Sequence, residues 1–363
     1  MYDDSFLRNK LLQREQQNAL RTLKLPEGKV DFSSNDYLGI VKNNLLHDKI
    51  AVGLKTGSTG SRLLSGNNAL VEKTEKQIAQ FHDAEAALIF NSGYDANVGL
   101  LSCIPQKNDT VFYDQLCHAS IRDGIRLSFA QSFSFPHNNI HELEKKMKAA
   151  TGNRFVVTES VFSMDGDFCP LAALVSVCKK YNAHLVIDEA HATGIVGENG
   201  EGLTQNTGLH REVFCRIHTF GKACGCHGAA VVGSTQLRDY LINFARSFVY
   251  TTALPEHSVA AISASYHTFP SLNNERSKLK MLIERFQQAR LSFEKLVSST
   301  PIQVVIIPGN GAVKTVAEKL QHEGLDVRPI LYPTVPAGKE RLRIVLHAFN
   351  TTAELEKLIE LLS

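Results

Sequence analysis

The stretch His184-Leu-Val-Ile-Asp188-Glu-Ala-His191-Ala-Thr-Gly194 decides how this chain is interpreted. A short apolar run ends in Asp188, and His191 follows three residues later. Such a run is typical of a strand buried on both faces of a parallel sheet, and open α/β sheets bind ligands beyond the carboxyl ends of their strands. Asp at a strand end is also a common turn residue, so the surrounding sequence must decide between the two interpretations. If the stretch is functional, Asp188 is a carboxylate at the base of a pocket and His191 faces the same pocket.

Similar short apolar runs recur on both sides of this stretch, with helical patterns between most of them. The predicted strands are Ala86–Phe90, Thr110–Tyr113, Ser132–Phe135, Arg154–Thr158, His184–Asp188, Cys215–Thr219 and Ala229–Val232. The predicted helices nearby are Ala69–Phe81, Ile140–Ala149 and Leu171–Lys180. This alternation predicts an α/β fold with a mostly parallel central sheet and helices on both of its faces.

The two ends of the chain have a different character, and they set the expected domain boundaries. The N-terminal patterns are a helix at Ser5–Leu23, a turn at 26–28 and, over Val30–Gly39, an extended segment that enters a polar turn. The C-terminal patterns are helices at Pro255–Thr268, Glu275–Ser298 and Thr352–Leu362, with strand and helix patterns before the last. We expect an N-terminal helix and extended segment (1–40), a large cofactor-binding domain (41–265) and a small C-terminal α/β domain (266–363).

Composition excludes several classes of protein. The chain has 363 residues, 43% of them apolar, and a net charge of +2 from 39 basic and 37 acidic residues. These values are ordinary for a globular protein and give no electrostatic case for binding nucleic acid or an anionic membrane. The seven cysteines form no dense, even framework, which indicates a reducing compartment. The N-terminus lacks the pattern of a secretion signal and no apolar run is long enough to span a membrane, so we expect a cytoplasmic enzyme.

Lys222 lies in a setting that an ordinary surface lysine does not need. It occurs in RIHTFGKACGCHGAAVV (216–232), between two apolar strands and among small residues and glycines. A lysine that forms a Schiff base must be partly desolvated and must reach a carbonyl carbon, which small neighbours permit. A solvated surface lysine remains the general alternative, and the neighbouring residues favour a lysine that forms a Schiff base.

Further polar residues follow other predicted strands. Ser92, Gly93 and Tyr94 stand before a helix, where backbone N–H groups could hold a phosphate, although a glycine after a strand is usually only a turn. His118 stands at a strand-to-helix junction, where it could stack on a flat ring or accept a proton, although a lone histidine is more often structural. Ser163, in ESVFSMDGD, is a further candidate, although the MDGD turn that follows would by itself be interpreted as a loop.

Together these residues fit one cofactor, pyridoxal 5′-phosphate (PLP). A lysine can form a Schiff base with its aldehyde, and a buried acid can keep its ring nitrogen protonated, which makes the ring an electron sink. A helix N-terminus and a hydroxyl can bind its phosphate.

With these residues in place, the chain resembles the α-oxoamine synthases, a branch of the fold type I PLP-dependent transferases. The matching stretches run through nearly the whole chain. They are FSSNDYLG (32–39), GSTGSRLLSG (57–66), NSGYDAN (91–97), HAS (118–120), VTESVFSMDGD (157–167), DEAHATG (188–194), HTFGKACGCHGAAVVGS (218–234), YTTALP (250–255) and PTVPAGKERLRI (333–344).

The resemblance implies roles for individual residues. The implied catalytic residues are Lys222, His118, Asp188 and His191, with Lys222 carrying the cofactor. The implied cofactor-binding residues are Gly93, Tyr94, His118, Ser163, Asp188, His191, Thr219, Lys222 and Thr252. Thr252 would reach the phosphate from a neighbouring subunit, which implies a homodimer with shared active sites. The implied substrate-binding residues are Arg21, Asn35, His118, Thr334 and Arg343.

The resemblance also implies a reaction, the decarboxylative condensation of an amino acid with an acyl thioester. TFGK and PTVPAG favour L-alanine and pimeloyl-CoA, or pimeloyl on acyl carrier protein, as in biotin synthesis. Relatives that use glycine (2-amino-3-ketobutyrate CoA ligase) or serine (serine palmitoyltransferase) remain alternatives. Where members of the alanine-using branch often carry an arginine and a proline before PTVP, this chain has Leu331 and Tyr332.

Two other classes of protein are less consistent with the sequence. Cys224, Cys226 and His227 lack the paired spacing of a structural zinc site, so we expect no metal. The glycines of 57–66 do not have the spacing of a dinucleotide-binding loop, which argues against a nicotinamide dehydrogenase.

Overall fold

The computed structural model describes residues 2–25 and 28–363, so most of the turn predicted at 26–28 lies outside the described residues. The strands are β1 (Val30–Asp31), β2 (Ala86–Phe90), β3 (Thr110–Asp114), β4 (Gln131–Phe135), β5 (Arg154–Glu159), β6 (Ala183–Asp188), β7 (Cys215–Thr219), β8 (Ala229–Gly233), β9 (Glu294–Lys295), β10 (Ile302–Ile306), β11 (Leu325–Asp326), β12 (Arg328–Ile330) and β13 (Arg341–Val345). The α-helices are α1 (Ser5–Gln16), α2 (Ala69–Phe81), α3 (Gly93–Cys103), α4 (Ala119–Leu127), α5 (Ile140–Met147), α6 (Leu171–Lys180), α7 (Leu203–Asn206), α8 (Thr235–Phe244), α9 (Arg246–Val249), α10 (Glu256–Thr268), α11 (Asn273–Gln288), α12 (Asn310–His322) and α13 (Thr352–Leu362). Short 3₁₀ turns lie at His47–Lys49, His210–Glu212 and Phe269–Ser271.

The chain divides into two compact units. The large unit comprises Asp36–Ser163 and Phe168–Arg276, and the small unit comprises Met1–Asn35, Met164–Asp167 and Ser277–Ser363. The three domains expected from the sequence, and the two boundaries between them, stay a prediction.

The large unit is organised around a seven-stranded sheet of order β2-β8-β7-β6-β5-β3-β4. Neighbours from β7 to β4 run parallel, whereas β8 is antiparallel to both β7 and β2. Because two reversals restore the original direction, β2 points the same way as β6 and β7. The carboxyl ends of these strands therefore meet at one edge of the sheet.

Alternate residues of the central strands pack into two apolar layers, one on each face of this sheet. On β3, Val111 belongs to the layer that includes residues of α3 and α4, and Phe112 belongs to the layer that includes residues of α5 and α6. Val186 and Ile187 of β6 divide in the same way. Since both faces are covered, these strands carry near-continuous apolar runs. The mostly parallel, doubly covered sheet predicted from the sequence is thus confirmed.

The small unit contains two separate sheets. Strands β12-β13-β10-β9 form an antiparallel sheet, and β1 pairs in parallel with β11. Helix α13 begins with a capping box, in which the Thr351 side chain accepts from the Glu354 N–H and the Glu354 carboxylate accepts from the Thr351 N–H. This arrangement satisfies N–H groups that the start of a helix leaves without partners.

Two predicted elements are wrong in their extent. The helix predicted at Ser5–Leu23 ends at Gln16, because the backbone turns into the left-handed region at Asn18, where φ is 52°. The helix predicted at Glu275–Ser298 ends at Gln288, and Glu294–Lys295 instead pairs with β10 as an edge strand.

Over Val30–Gly39, where the sequence predicts an extended segment entering a polar turn, the strand covers only Val30–Asp31. The Asp31 carboxylate then accepts hydrogen bonds from the backbone N–H groups of Ser33 and Ser34, at 2.8 and 2.9 Å. This local competition from a side chain starts a turn and ends the strand.

Among the described residues, no helix has both the length and the apolarity needed to cross a bilayer. The seven cysteines all carry free thiols.

Candidate active site

The site in the large unit is built at the shared carboxyl edge of the sheet. Asp188 is the last residue of β6, Thr219 is the last residue of β7, and α3 starts three residues after β2 ends. Strands β6 and β7 are direct neighbours. The topology therefore brings together polar groups that the chain carries far apart in sequence.

Asp188 is a buried carboxylate, only 5% exposed, that is held by neutral donors. Its Oδ2 accepts from Asn97 Nδ2 at 2.8 Å, and its Oδ1 accepts from the Ala190 N–H at 2.9 Å. These bonds fix its orientation without neutralising its charge. A cationic ring nitrogen would be an ionic partner for this carboxylate.

His118 is connected to Asp188 through two intervening side chains. The Asn97 amide also donates to Ser120 Oγ at 3.1 Å, and Ser120 Oγ lies 2.7 Å from His118 Nδ1. His118 caps the N-terminus of α4, where its ring nitrogen accepts from the Ser120 N–H. Partial burial of the imidazole lowers the pKa of His118, which favours a neutral ring suited to stacking.

Lys222 lies against His191, and His191 lies against Tyr37. The Lys222 Nζ to His191 Nε2 distance is 2.8 Å, and the His191 Nδ1 to Tyr37 Oη distance is 2.6 Å. An ammonium group at Lys222 donates to Nε2, so Nδ1 then carries a proton and donates to the Tyr37 oxygen. Tyr37 is fully buried, which holds this chain of hydrogen bonds in one geometry.

The loop that carries Lys222 depends on Gly225. Its φ is +62°, and a Cβ there would lie 2.5 Å from Ile40 Cγ2. The Gly225 N–H also donates to the Lys222 carbonyl at 2.8 Å, which closes a tight turn. Glycine therefore permits both the backbone conformation and the close packing that hold Lys222.

The start of α3 lies directly beside Thr219, the two groups that the sequence predicts to bind a phosphate. Ser92 caps the helix by accepting from the Asp95 N–H, and the first helical N–H groups have no partner within a helix. A Cβ at Gly93 would lie 2.4 Å from Thr219 Oγ1, so the hydroxyl is directly beside this helix start. Tyr94 is half exposed, and its hydroxyl donates to Asp123, which raises the pKa of Tyr94.

Ser163 and Thr252, also predicted for cofactor binding, lie in loops of the large unit, after β5 and after α9 respectively. Ser163 is half-buried and follows Ser160, whose N–H donates to the Asp188 carbonyl at 2.9 Å. Thr252 is exposed, and its carbonyl accepts from Asn91 Nδ2 at 2.9 Å.

The predicted substrate residues other than His118 lie in the small unit and form two pairs. Arg343, on β13, donates to Asn35 Oδ1 at 3.0 Å and is 9% exposed. Arg21 donates to Thr334 Oγ1 at 2.9 Å in an exposed position. In both pairs a guanidinium group donates to a neutral side-chain oxygen.

Three residues that complete these hydrogen-bond networks were not singled out from the sequence. They are Tyr37, Asn97 and Ser120, each of which lies inside a matching stretch but follows no predicted strand end. Their importance comes from contacts that only the folded chain creates. Among the described residues, no group of three or more His, Cys, Asp and Glu side chains could hold a metal ion.

These groups fit PLP on structural grounds. Asp188 accepts from neutral donors, Gly93 lets the helix start lie directly against Thr219 where a Cβ would clash, and Lys222 lies beside a histidine. The family model for aminotransferase class I and II matches residues 27–362. The chain belongs to the aminotransferase class I and II family.

Relatives of this family member span nearly its whole length. The 8-amino-7-oxononanoate synthase of Emericella nidulans is 40% identical, over 98% of this chain and 93% of the relative. The solved structure of the Francisella tularensis 8-amino-7-oxononanoate synthase is 28% identical, with a TM-score of 0.79 over 93% of this chain and 97% of that one. A serine palmitoyltransferase structure with PLP as the internal aldimine is 26% identical, with a TM-score of 0.86 over 99% of this chain and 98% of that one.

These likenesses confirm the predicted family resemblance and the predicted fold type I architecture. The roles of individual site residues stay predictions.

Proposed function

We propose that this chain is a PLP-dependent acyltransferase that condenses L-alanine with a pimeloyl thioester. The products are 8-amino-7-oxononanoate, CO2 and the free thiol of coenzyme A or of a carrier protein, which is a step of biotin biosynthesis. The observation that carries the proposal is the topology: Asp188 ends β6, and Lys222 follows the end of the adjacent strand β7 by three residues. The 40% identity with an 8-amino-7-oxononanoate synthase over nearly the full chain favours L-alanine and a pimeloyl thioester as the substrates.

Several residues would hold the cofactor. Lys222 would bind its aldehyde carbon, Asp188 its ring nitrogen, and His118 and His191 its ring face and ring hydroxyl. The phosphate contacts would come from Gly93, Tyr94, Thr219 and Thr252, with Ser163 beside the ring. When bound, PLP withdraws electrons from the Cα of an attached amino acid, which permits both proton removal and carbon–carbon bond formation there.

Lys222 would remove and return the proton of the alanine Cα, and His191 would position Lys222 for this. A neutral Lys222 amine accepts that proton and later returns one to the product carbon. His191 Nε2, 2.8 Å from Lys222 Nζ, holds the amine in position, and Tyr37 fixes the imidazole from its other side. This hydrogen-bonded chain limits where the amine can point, which is the contribution of preorganisation.

Arg343 would bind the alanine carboxylate with Asn35 at its side. A guanidinium holds a carboxylate in two parallel hydrogen bonds, which orients the Cα bond that must break. Arg21 and Thr334, already bonded to each other, would contact the acyl thioester.

The functional unit would be a homodimer in the cytoplasm. In the large unit, the Ala253 N–H donates to the Gly60 carbonyl, so Thr252 lies close to the glycine-rich segment 57–68. Leu64 and Tyr250 in this region are 84% and 75% exposed, which suits a surface that a second copy covers. A shared active site would then include Thr252 of the second copy.

Titration of the purified protein with amino acids tests the substrate assignment. L-alanine, glycine and L-serine are added in turn to the PLP-loaded protein, and the visible absorption of the cofactor is followed. Pimeloyl-CoA is then compared with heptanoyl-CoA, which has the same chain length and no terminal carboxylate, and products are identified by mass spectrometry. The proposal expects the strongest response to L-alanine and product only from pimeloyl-CoA, with Lys222→Ala as the inactive control. A preference for glycine or serine would keep the family and overturn the substrates.

Mixing two inactive variants tests the shared site. Lys222→Ala and Thr252→Ala are each expected to lose activity, but a mixed dimer contains one site free of both changes. When equal amounts of the two variants exchange subunits at random, half of the dimers are mixed, and each mixed dimer has one intact site out of two. The mixture should therefore recover about a quarter of the wild-type activity. No recovery, with exchange demonstrated by differently tagged subunits, would place each site within one chain.

A further inference from the structure

Glu159 is a buried carboxyl group beside the candidate site that the proposed mechanism does not use. It ends β5 and is directly opposite Asp188 in the register of β5 with β6. The two residues are 3% and 5% exposed. Two ionised carboxylates at neighbouring strand ends, both removed from water, repel each other strongly.

The contacts of Glu159 differ from those of the carboxylates around it. Its Oε1 accepts from the His118 N–H at 2.6 Å, and no cation lies within ion-pair distance among the contacts that the structure records for it. Asp114, at the end of the neighbouring strand β3, lies 3.1 Å from His137 Nδ1 and accepts from backbone N–H groups. Glu159 thus has one neutral donor, whereas Asp114 has a titratable partner.

Several charged and titratable groups face Glu159 from the surrounding elements. Asp188 on β6 and Asp114 on β3 disfavour its ionisation, while Lys222, after β7, and the His118 N–H favour it. The Cys117 thiol, one residue before His118, is also buried against this group of carboxylates. Burial and the charge of Asp188 prevail, and they raise the pKa of Glu159 to about 8.

We propose that Glu159 is a positioning residue: as a neutral carboxyl group it fixes the backbone of His118 and leaves Asp188 as the ionised member of the pair. The hydrogen bond to the His118 N–H sets where α4 starts, and therefore where the imidazole ring lies. Because Glu159 keeps its proton, the negative charge at this edge stays on Asp188, where a ring nitrogen would bind. The inference rests on the proposed cofactor site but not on the choice of substrates.

Infrared difference spectroscopy tests the protonation state directly. A protonated carboxyl group has a carbonyl stretch that an ionised one lacks. In the cofactor-free protein this band is expected at pH 6.5 and should disappear as the pH rises through about 8. It should be absent from Glu159→Gln and retained in the matched control Asp114→Asn, which changes the carboxylate of the adjacent strand end. A wild-type spectrum without the band, or a band that survives in Glu159→Gln, would overturn the proposal.

Activity of the loaded enzyme tests the positioning role. Glu159→Ala removes the acceptor of a buried N–H group, and kcat/KM should fall by about tenfold or more. Glu159→Gln keeps the acceptor and cannot ionise, so its kcat/KM should be close to that of the wild type. Any decline of kcat/KM at alkaline pH that the ionisation of Glu159 causes should be absent from this variant. Equal losses in the two variants, with unchanged pH profiles, would refute positioning by a neutral carboxyl. If the wild type shows the infrared band but does not turn over alanine and pimeloyl-CoA, the function fails and this inference stands.

Discussion

A stacked pair of buried histidines makes the stability of the large unit sensitive to acid. The rings of His82 and His218 lie 3.6 Å apart, centroid to centroid, with 19° between their planes, and both residues are fully buried. Burial lowers the pKa of each histidine well below its ordinary value, and the nearby Arg216 guanidinium acts in the same direction. Both rings are therefore neutral in the folded chain.

The sign of the pH dependence follows from where protons bind first. Because the folded-state pKa values are depressed, the unfolded chain protonates first as the pH falls, and stability present above about pH 6.5 is lost below it. At pH 5.5 each histidine costs about 1.4 kcal/mol if its folded form stays neutral. Two such groups lower the free energy of unfolding by about 2.8 kcal/mol relative to pH 7.5.

Urea unfolding at pH 7.5, 6.5 and 5.5, at constant saturating PLP, measures this loss. The double variant His82→Gln/His218→Gln keeps polar side chains but cannot titrate, and His141→Gln on α5 changes an exposed histidine as a control. Between pH 7.5 and 5.5, the wild type and the control should lose about 2–3 kcal/mol more stability than the double variant. Equal losses in all three proteins would refute the assignment of acid sensitivity to the stack.

Three further substitutions test single features of the large unit. Gly93→Ala places a Cβ 2.4 Å from Thr219 Oγ1, so PLP affinity measured by reconstitution of the cofactor-free protein should fall by about tenfold or more. Asp188→Asn removes the carboxylate proposed to bind the ring nitrogen, and kcat should fall by about 100-fold or more, as steady-state kinetics would measure. Arg62→Met removes the guanidinium that binds the buried Glu75 carboxylate in a bidentate ion pair, at 2.8 and 3.1 Å. The free energy of unfolding measured in urea should fall by about 3–5 kcal/mol.

Matched substitutions serve as controls for these tests. Gly311→Ala lies in the first turn of α12, where an added Cβ meets nothing within 4 Å, and PLP affinity should stay at the wild-type value. Arg126→Met breaks an exposed ion pair and should cost less than about 1 kcal/mol. The reasoning fails if Gly93→Ala binds PLP as tightly as Gly311→Ala, if Asp188→Asn retains full kcat, or if the two arginine variants are equally stable.

The central strands of the large unit were predictable because they bury both faces and are therefore apolar runs between turns. Strands β2 and β7 begin and end where the sequence indicated. The helix predicted beyond Gln288 failed for a different reason. The segment Glu294–Lys295 gains its structure from pairing with β10, and such a distant partner leaves no periodicity in the segment itself.

The candidate site shows the same contrast. Asp188, Lys222 and Gly93 could be found because each follows an apolar run and has a residue type with distinctive chemistry. Tyr37 could not be assigned from its neighbours, since its partner His191 is remote in sequence and the 2.6 Å contact exists only in the folded chain. Glu159 was missed because the predicted strand stopped one residue short of it.

The order of strands in the central sheet also governs when the enzyme can first capture its cofactor during synthesis. Strand β2, at residues 86–90, pairs with β8, at residues 229–233, and β8 connects β2 to β7. Until β8 has emerged from the ribosome, β2 is an unpaired edge, and the helix start at Gly93 has no fixed relation to Lys222. Earlier fragments therefore cannot be partly active enzymes, and they expose strand edges that favour aggregation. Cofactor capture thus follows the synthesis of most of the large unit.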